Sequence, residues 1–204
     1  VELANALDAF NVRGVSHNIR FLRTLLRTER FLAADLDTNL IAEVYPDGFR
    51  PEDTTYNRPG LVAVAGFIHA QVVERELQTS GQLPERVSEA ALSWVVIGES
   101  SELDITLTNT DGGFDVDVGG RVCAVRSEWR PGEFLFRGTL NGESIRVQVD
   151  CEGLSYRLTH AGDEISVQLL TPRAAELSHF MLQPELADLS QFLLSPMPGL
   201  LISV

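Results

Sequence analysis

Residues 61–68 read Leu-Val-Ala-Val-Ala-Gly-Phe-Ile, and no placement on a helical wheel gives that run a polar face. Pro59 stands just before it and Gly81 follows "QVVERELQTS", the punctuation of a helix spanning residues 59–79. A helix without a wet side must be surrounded by the rest of the protein. Only Glu74, Arg75, Glu76 and Gln78, at its far end, look solvated.

What can surround it comes next in the chain. From Ser93 to Leu170 the apolar period falls to two: Ile105 and Leu107 follow Leu103, Val116 and Val118 follow Phe114, and the pattern repeats at Ile145/Val147/Val149, Leu154/Tyr156/Leu158 and Ile165/Val167/Leu169. Turn pairs separate these runs, Asn141-Gly142 being the strongest hairpin signal among them. Adding 94–97, 122–129 and 134–140 gives about eight short strands at the spacing of an antiparallel barrel. The expected fold is therefore α+β: a barrel over 93–170 wrapped around the helix at 59–79. A helix is roughly 10 Å across with its side chains and an eight-stranded barrel encloses about that much space. The fit predicts some flattening or opening of the sheet, relieved by Ala63, Ala65 and Gly66.

The flanks have a different character. Leu3, Leu7 and Phe10, then Ile19, Leu22, Leu25 and Leu26, recur at helical spacing on either side of Arg13-Gly14, too few for a core of their own. Residues 1–36 read as the helical tail of a larger α+β domain. Residues 37–58, with a Pro-Asp-Gly turn, read as a linker lying on that domain's body. Residues 183–194 read as a tether, and Pro-marked 195–204 as the first strand of a further domain.

Charge and chemistry exclude much. The net charge of −13 argues against nucleic acid or an anionic membrane as partner. All sixteen basic residues are arginine, so there is no phosphate-loop lysine, no Schiff base and no acceptor for a biotinyl amide. His17, His69, His160 and His179 form no zinc spacing. His69 is expected at the barrel mouth and His17 at a helix cap. Cys123 and Cys151 lack an activating base, Cys151 sits among acids, and both read as reduced thiols. Asp104, Asp115 and Asp117 alternate with apolar residues, the pattern of a solvated sheet face. Residues 80–92 (SGQLPERVSEAAL) have no period, and the spaced aliphatics Leu83, Val87 and Leu92 point to docking.

Three stretches carry a family resemblance. "VRGVSHNIRFLRTLLRTERFLAADLDTNLIAEVYPDGF" (12–49) resembles the end of the biotin carboxylase domain in the α subunits of propionyl-CoA carboxylase and related acyl-CoA carboxylases; "RAAELSHFML" (173–182) is similar to the segment after that family's barrel, and "SPMPG" (195–199) to the start of its biotin carrier domain. The resemblance implies that 59–182 is the BT domain, a helix wrapped by a barrel, between the chain's own carboxylase and carrier domains. It implies that Ser80, Gly81, Gln82, Leu83, Pro84, Val87 and Leu92 belong to a hook contacting the carboxyltransferase β subunit in a hetero-oligomer. Biotin, ATP and Mg would serve the parent enzyme, a ligase, with no catalytic or cofactor-binding residue expected within this portion. The implied location is the cytoplasm, or the mitochondrial matrix in a eukaryote. Two other classes remain compatible with the residues alone: a stand-alone barrel with a hollow, ligand-binding interior, and a self-contained hydrolase whose nucleophile and base are not evident.

Overall fold

The computed structural model describes residues 2–12, 15, 17–50, 58–79, 92–98 and 102–181. Arg58–Thr79 forms one continuous helix, α5, and residues 60–68 of it are buried on every side. Eight antiparallel strands enclose it: β1 (Leu92–Gly98), β2 (Glu102–Thr110), β3 (Gly113–Val118), β4 (Arg121–Ser127), β5 (Leu135–Leu140), β6 (Glu143–Glu152), β7 (Ser155–His160) and β8 (Asp163–Leu170). Each pairs with the next, and β1 returns to β8 through Val95↔Leu170 to Gly98↔Val167, so the barrel is closed. The expected opening does not occur.

The strands alternate because one face must meet the helix. Ile105, Leu107, Phe114, Val116, Val125, Phe136, Val147, Leu158, Val167 and Leu169 all point into one core with Leu61, Val64, Phe67 and Ile68. Dimensions agree as well: a six-residue strand tilted by about 40° rises about 15 Å, and the buried stretch 60–70 of α5 rises about 16 Å. Room is made by small residues on the helix. A Cβ on Gly66 would lie 3.0 Å from Ile105 Cδ1 and 3.4 Å from Leu107 Cδ1. Phe67, one position on, meets the rings of Phe114 and Phe136 edge-on at 5.7 and 5.5 Å. Among the described residues the lumen is filled by the chain's own helix, against the alternative of a barrel with a hollow, ligand-binding interior.

Three apolar residues of the expected strand pattern turn outward. Leu103 lies at the start of β2 and Leu154 in the β6–β7 turn, at the ends of the barrel, while Val122 falls on the outer face of β4, whose inward residues are Cys123 and Val125. Trp129 does the reverse. It lies beyond the end of β4 yet folds back into the core.

The N-terminal stretch is helical: α1 (Glu2–Ala9), α2 (Ile19–Leu25), α3 (Glu29–Leu32) and α4 (Leu40–Val44). The break between α2 and α3 comes from Thr28, whose hydroxyl donates to Leu25 O at 2.8 Å and which caps the next turn. Part of the expected linker is ordered: Tyr45 and Phe49 stack edge-wise with Phe21 of α2 at 5.7 and 5.6 Å. After β8, Thr171 caps α6 (Pro172–Ser178) through Ala174 N, with Pro172 at its first turn. The expected tether at 183–194 and the strand at 195–204 lie outside the described residues.

Gly66 gives a direct test of the filled lumen. Gly66→Leu should destabilise the chain by about 2–3 kcal/mol through overpacking. Gly66→Ala should fall near neutral, because a helix-propensity gain of about 1 kcal/mol offsets the displacement of Ile105 Cδ1. The urea-unfolding midpoint of each variant separates the two; equal stability for Gly66→Leu and the parent chain would contradict the packing.

Candidate docking end of the barrel

Strand direction gives the barrel two unlike ends. The β7–β8 hairpin, with Arg58 Nε 3.5 Å from Asp163 Oδ2, marks the end where α5 enters. The start of β1, the β6–β7 turn and the long β4–β5 connection mark the end where it leaves.

The entering end is bolted to the N-terminal helices. Asp8 of α1 is almost fully buried, and its carboxylate accepts from Arg23 Nε at 2.8 Å, Arg23 Nη2 at 2.9 Å and the amide of Ala161 at 3.1 Å. Such a forked pair is both strong and directional. Arg20 Nε donates to Gly162 O at 3.0 Å, and Gln148 Nε2 donates to Asp8 O and Phe10 O at 3.0 and 3.3 Å. Gly162 has a positive φ, and a Cβ there would lie 2.9 Å from Arg20 O, so the hairpin and α2 approach too closely for any larger residue. His160 donates from Nδ1 to Arg146 O at 2.6 Å; burial pushes its pKa down, against the opposing pull of Asp8.

At the leaving end, His69 Nδ1 and Tyr156 Oη share a hydrogen bond of 2.9 Å, and the imidazole meets Trp94 edge-on at 4.8 Å. Burial lowers the His69 pKa to about 4 and raises that of Tyr156 to about 12, so both are neutral at physiological pH. His69 is thus the satisfied mouth residue expected from the sequence. Beyond it Glu74, Arg75 and Glu76 are exposed, and Arg75 Nη1 donates to Pro131 O at 2.6 Å, tying the emerging helix to the β4–β5 connection.

Of the predicted docking residues, Ser80, Gly81, Gln82, Leu83, Pro84 and Val87 lie outside the described residues. Leu92 is the first residue of β1, opposite Leu107, and packs against the core. A chain that leaves at Thr79 and returns at Leu92 therefore begins and ends at the same mouth.

Other candidates are accounted for locally. Cys123 is buried within β4, Cys151 is exposed, both are free, and burial raises both pKa values, with Asp150 adding to the rise at Cys151. Asp115 pairs with Arg126 Nη2 at 2.7 Å and Asp117 accepts from Gly120 N at 2.7 Å, as edges of a solvated face. His17 is exposed ahead of α2, whose N-cap residue is Asn18. Among the described residues no three His, Cys, Asp or Glu side chains converge as a metal site, no buried side-chain N or O lacks a partner, and no helix is long and apolar enough to cross a membrane.

A closed antiparallel barrel whose lumen is filled by its own helix, with short helices packed against one end, defines the class of fold. Residues 61–183 match the propionyl-coenzyme A carboxylase BT domain, and the chain belongs to that family. It is 32% identical over 204 residues to the propionyl-CoA carboxylase alpha chain of Ruegeria pomeroyi, covering 98% of this chain and 30% of the relative. It is 32% identical over 209 residues to the mitochondrial alpha chain of Homo sapiens, covering 99% and 29%, and 26% identical over 218 residues to that of Caenorhabditis elegans, covering 99% and 30%. The chain thus spans under a third of the length of these relatives.

Two outcomes follow from the two ends. Asp8→Ala leaves Arg23 unpaired at a site where its side chain is only 12% exposed; the loss should be about 3–5 kcal/mol. Asp8→Asn, which keeps an acceptor for the Ala161 amide, should cost less, and amide exchange at Ala161 reads the difference. For His69, the folded pKa near 4 lies below the unfolded value of 6.5, so the unfolded state binds more protons between them. Stability is complete above pH 6.5 and declines toward pH 4, at up to about 1.4 kcal/mol per pH unit, with His160 adding in the same direction. His69→Gln should flatten that decline in unfolding curves taken from pH 7 to pH 4; an unaltered slope would remove His69 as its source.

Proposed function

We propose that this chain is the connecting and subunit-docking portion of the α chain of a biotin-dependent acyl-CoA carboxylase of the propionyl-CoA type. The observation that carries the reading is the geometry of α5. It fills the barrel, is anchored beside the N-terminal helices at one end, and delivers residues 80–91 at the other. The barrel then holds a carboxylase domain and a carboxyltransferase subunit at a fixed separation, and residues 80–91 supply the contact to that subunit.

Exposed apolar residues support the assignment of 1–36 to a larger domain: Leu3 and Leu32 on the N-terminal helices, and Phe10 and Leu36 in the segments that follow them, all lie open. In this reading the parent uses ATP, Mg and bicarbonate to carboxylate biotin, and the partner subunit moves the carboxyl group to a short acyl-CoA in the cytoplasm or mitochondrial matrix. With no lysine, these 204 residues offer no amine for the biotin amide. The role of this chain is to hold and orient.

The test must spare the barrel, and so must leave Leu92 intact. Leu83→Asp with Val87→Asp, in the full chain co-expressed with the carboxyltransferase subunit, should abolish co-purification while the unfolding midpoint stays unchanged. Retained co-purification would refute docking through this segment.

A further inference from the structure

Five of the strand connections, at 111–112, 119–120, 141–142, 153–154 and 161–162, have two residues each, whereas β4 and β5 are joined by seven, 128–134. A hairpin needs no such length. Nor is the extra chain slack. Trp129 is 3% exposed, its Nε1 donates to Glu133 O at 3.0 Å and its amide to Ser127 Oγ at 3.0 Å; Glu133 N donates to Arg130 O at 3.1 Å, and Val149 N to Phe134 O at 2.8 Å. Arg75 of α5 closes the set on Pro131 O.

The rigid loop holds Phe134 half out of the protein, 50% exposed. Phe134 lines a cleft of about 640 Å³ with Glu128, Glu133 and Arg137, and a second of about 660 Å³ lies between Arg130–Glu133 of the same loop and Gln71, Glu74 and Arg75 of the helix. None of these hydrogen bonds uses the Phe134 side chain, so the loop's polar contacts make no demand for a phenyl ring there. An exposed aromatic beside exposed arginines, preorganised so that little entropy is lost on contact, is the composition of a protein-interface anchor. Charge narrows the partner further. The surroundings are balanced, Arg75, Arg130 and Arg137 against Glu74, Glu128 and Glu133, in a chain of net charge −13. A folded protein surface of mixed charge suits such a patch better than a polyanion or polycation.

We infer that residues 128–134 form a second contact for the carboxyltransferase subunit, with Phe134 as its anchor and Arg130 beside it. The inference rests on the docking reading above: α5 emerges through Arg75 directly against this loop, so a subunit seated on the segment that continues from α5 meets 128–134 at the same end of the barrel.

Binding of the full chain to the immobilised carboxyltransferase subunit, followed by surface plasmon resonance, tests it. Phe134→Ala should weaken binding at least tenfold, and adding Arg130→Glu should weaken it further, with the unfolding midpoint unchanged. Should Phe134→Ala lower that midpoint, Arg130→Glu alone, at an exposed side chain, decides the matter through its affinity. Unchanged affinity in these variants, with binding lost in Leu83→Asp/Val87→Asp, would overturn the second contact and leave the docking reading standing. Unchanged affinity in both sets would overturn both, and an effect confined to self-association of the chain would assign the patch to a second copy.

Discussion

The structure depends on enclosing a helix that has no side to show to water. A helix satisfies its own backbone donors and acceptors, so α5 can sit in a dry lumen without asking the strands for polar groups. The strands in turn need only one apolar face each. The result is a core in which Leu61, Val64, Phe67 and Ile68 are met from all round the barrel, and in which each fully buried large side chain contributes roughly 1.5–3 kcal/mol. Polar chemistry is confined to the two mouths, where His69 meets Tyr156 and where Arg58 faces Asp163.

That division makes the barrel directional. One mouth carries a buried ion pair that fuses it to the N-terminal helices, Asp8 with Arg23, and this pair is more informative about orientation than about stability, since buried charges offset much of their own attraction in lost hydration. The other mouth carries the emerging helix, a rigid seven-residue loop, and the point where β1 begins. Between them the helix is a strut. A displacement at one mouth is carried to the other with little loss because close-packed interiors resist compression.

Much of this was legible in the sequence. The absence of a wet face at 61–68 and the change of period after Ser93 were enough to place a barrel around a helix, because both patterns reflect burial, which sequence reports well. The exceptions arise where neighbours, not period, decide. Asp8 looks like an ordinary polar position between Leu7 and Ala9, and only docking of α1 against β6 and the β7–β8 hairpin buries it. Leu103 and Leu154 fit the alternation but lie exposed at the ends of the barrel, and Val122 takes the outward phase beside the inward Cys123. Trp129 was read as part of a strand and is instead a plug returning from a loop. Leu92 was grouped with the docking segment by its spacing, whereas its pairing with Leu107 makes it part of the barrel wall. The docking proposed for 80–91 rests on the spaced aliphatics Leu83 and Val87 and on the family resemblance.

The seam between β1 and β8 also constrains how such a molecule comes into being. A filled lumen cannot be loaded after closure, so α5 must be in place before β8, the last strand of the ring, seals it against β1. Until then a greasy rod emerges early in synthesis with nothing yet made to cover it, and closure awaits contacts of long sequence separation, which form slowly. The same architecture that gives a stiff strut therefore creates an interval of exposure during biogenesis, in which the nascent chain is a natural client for chaperones.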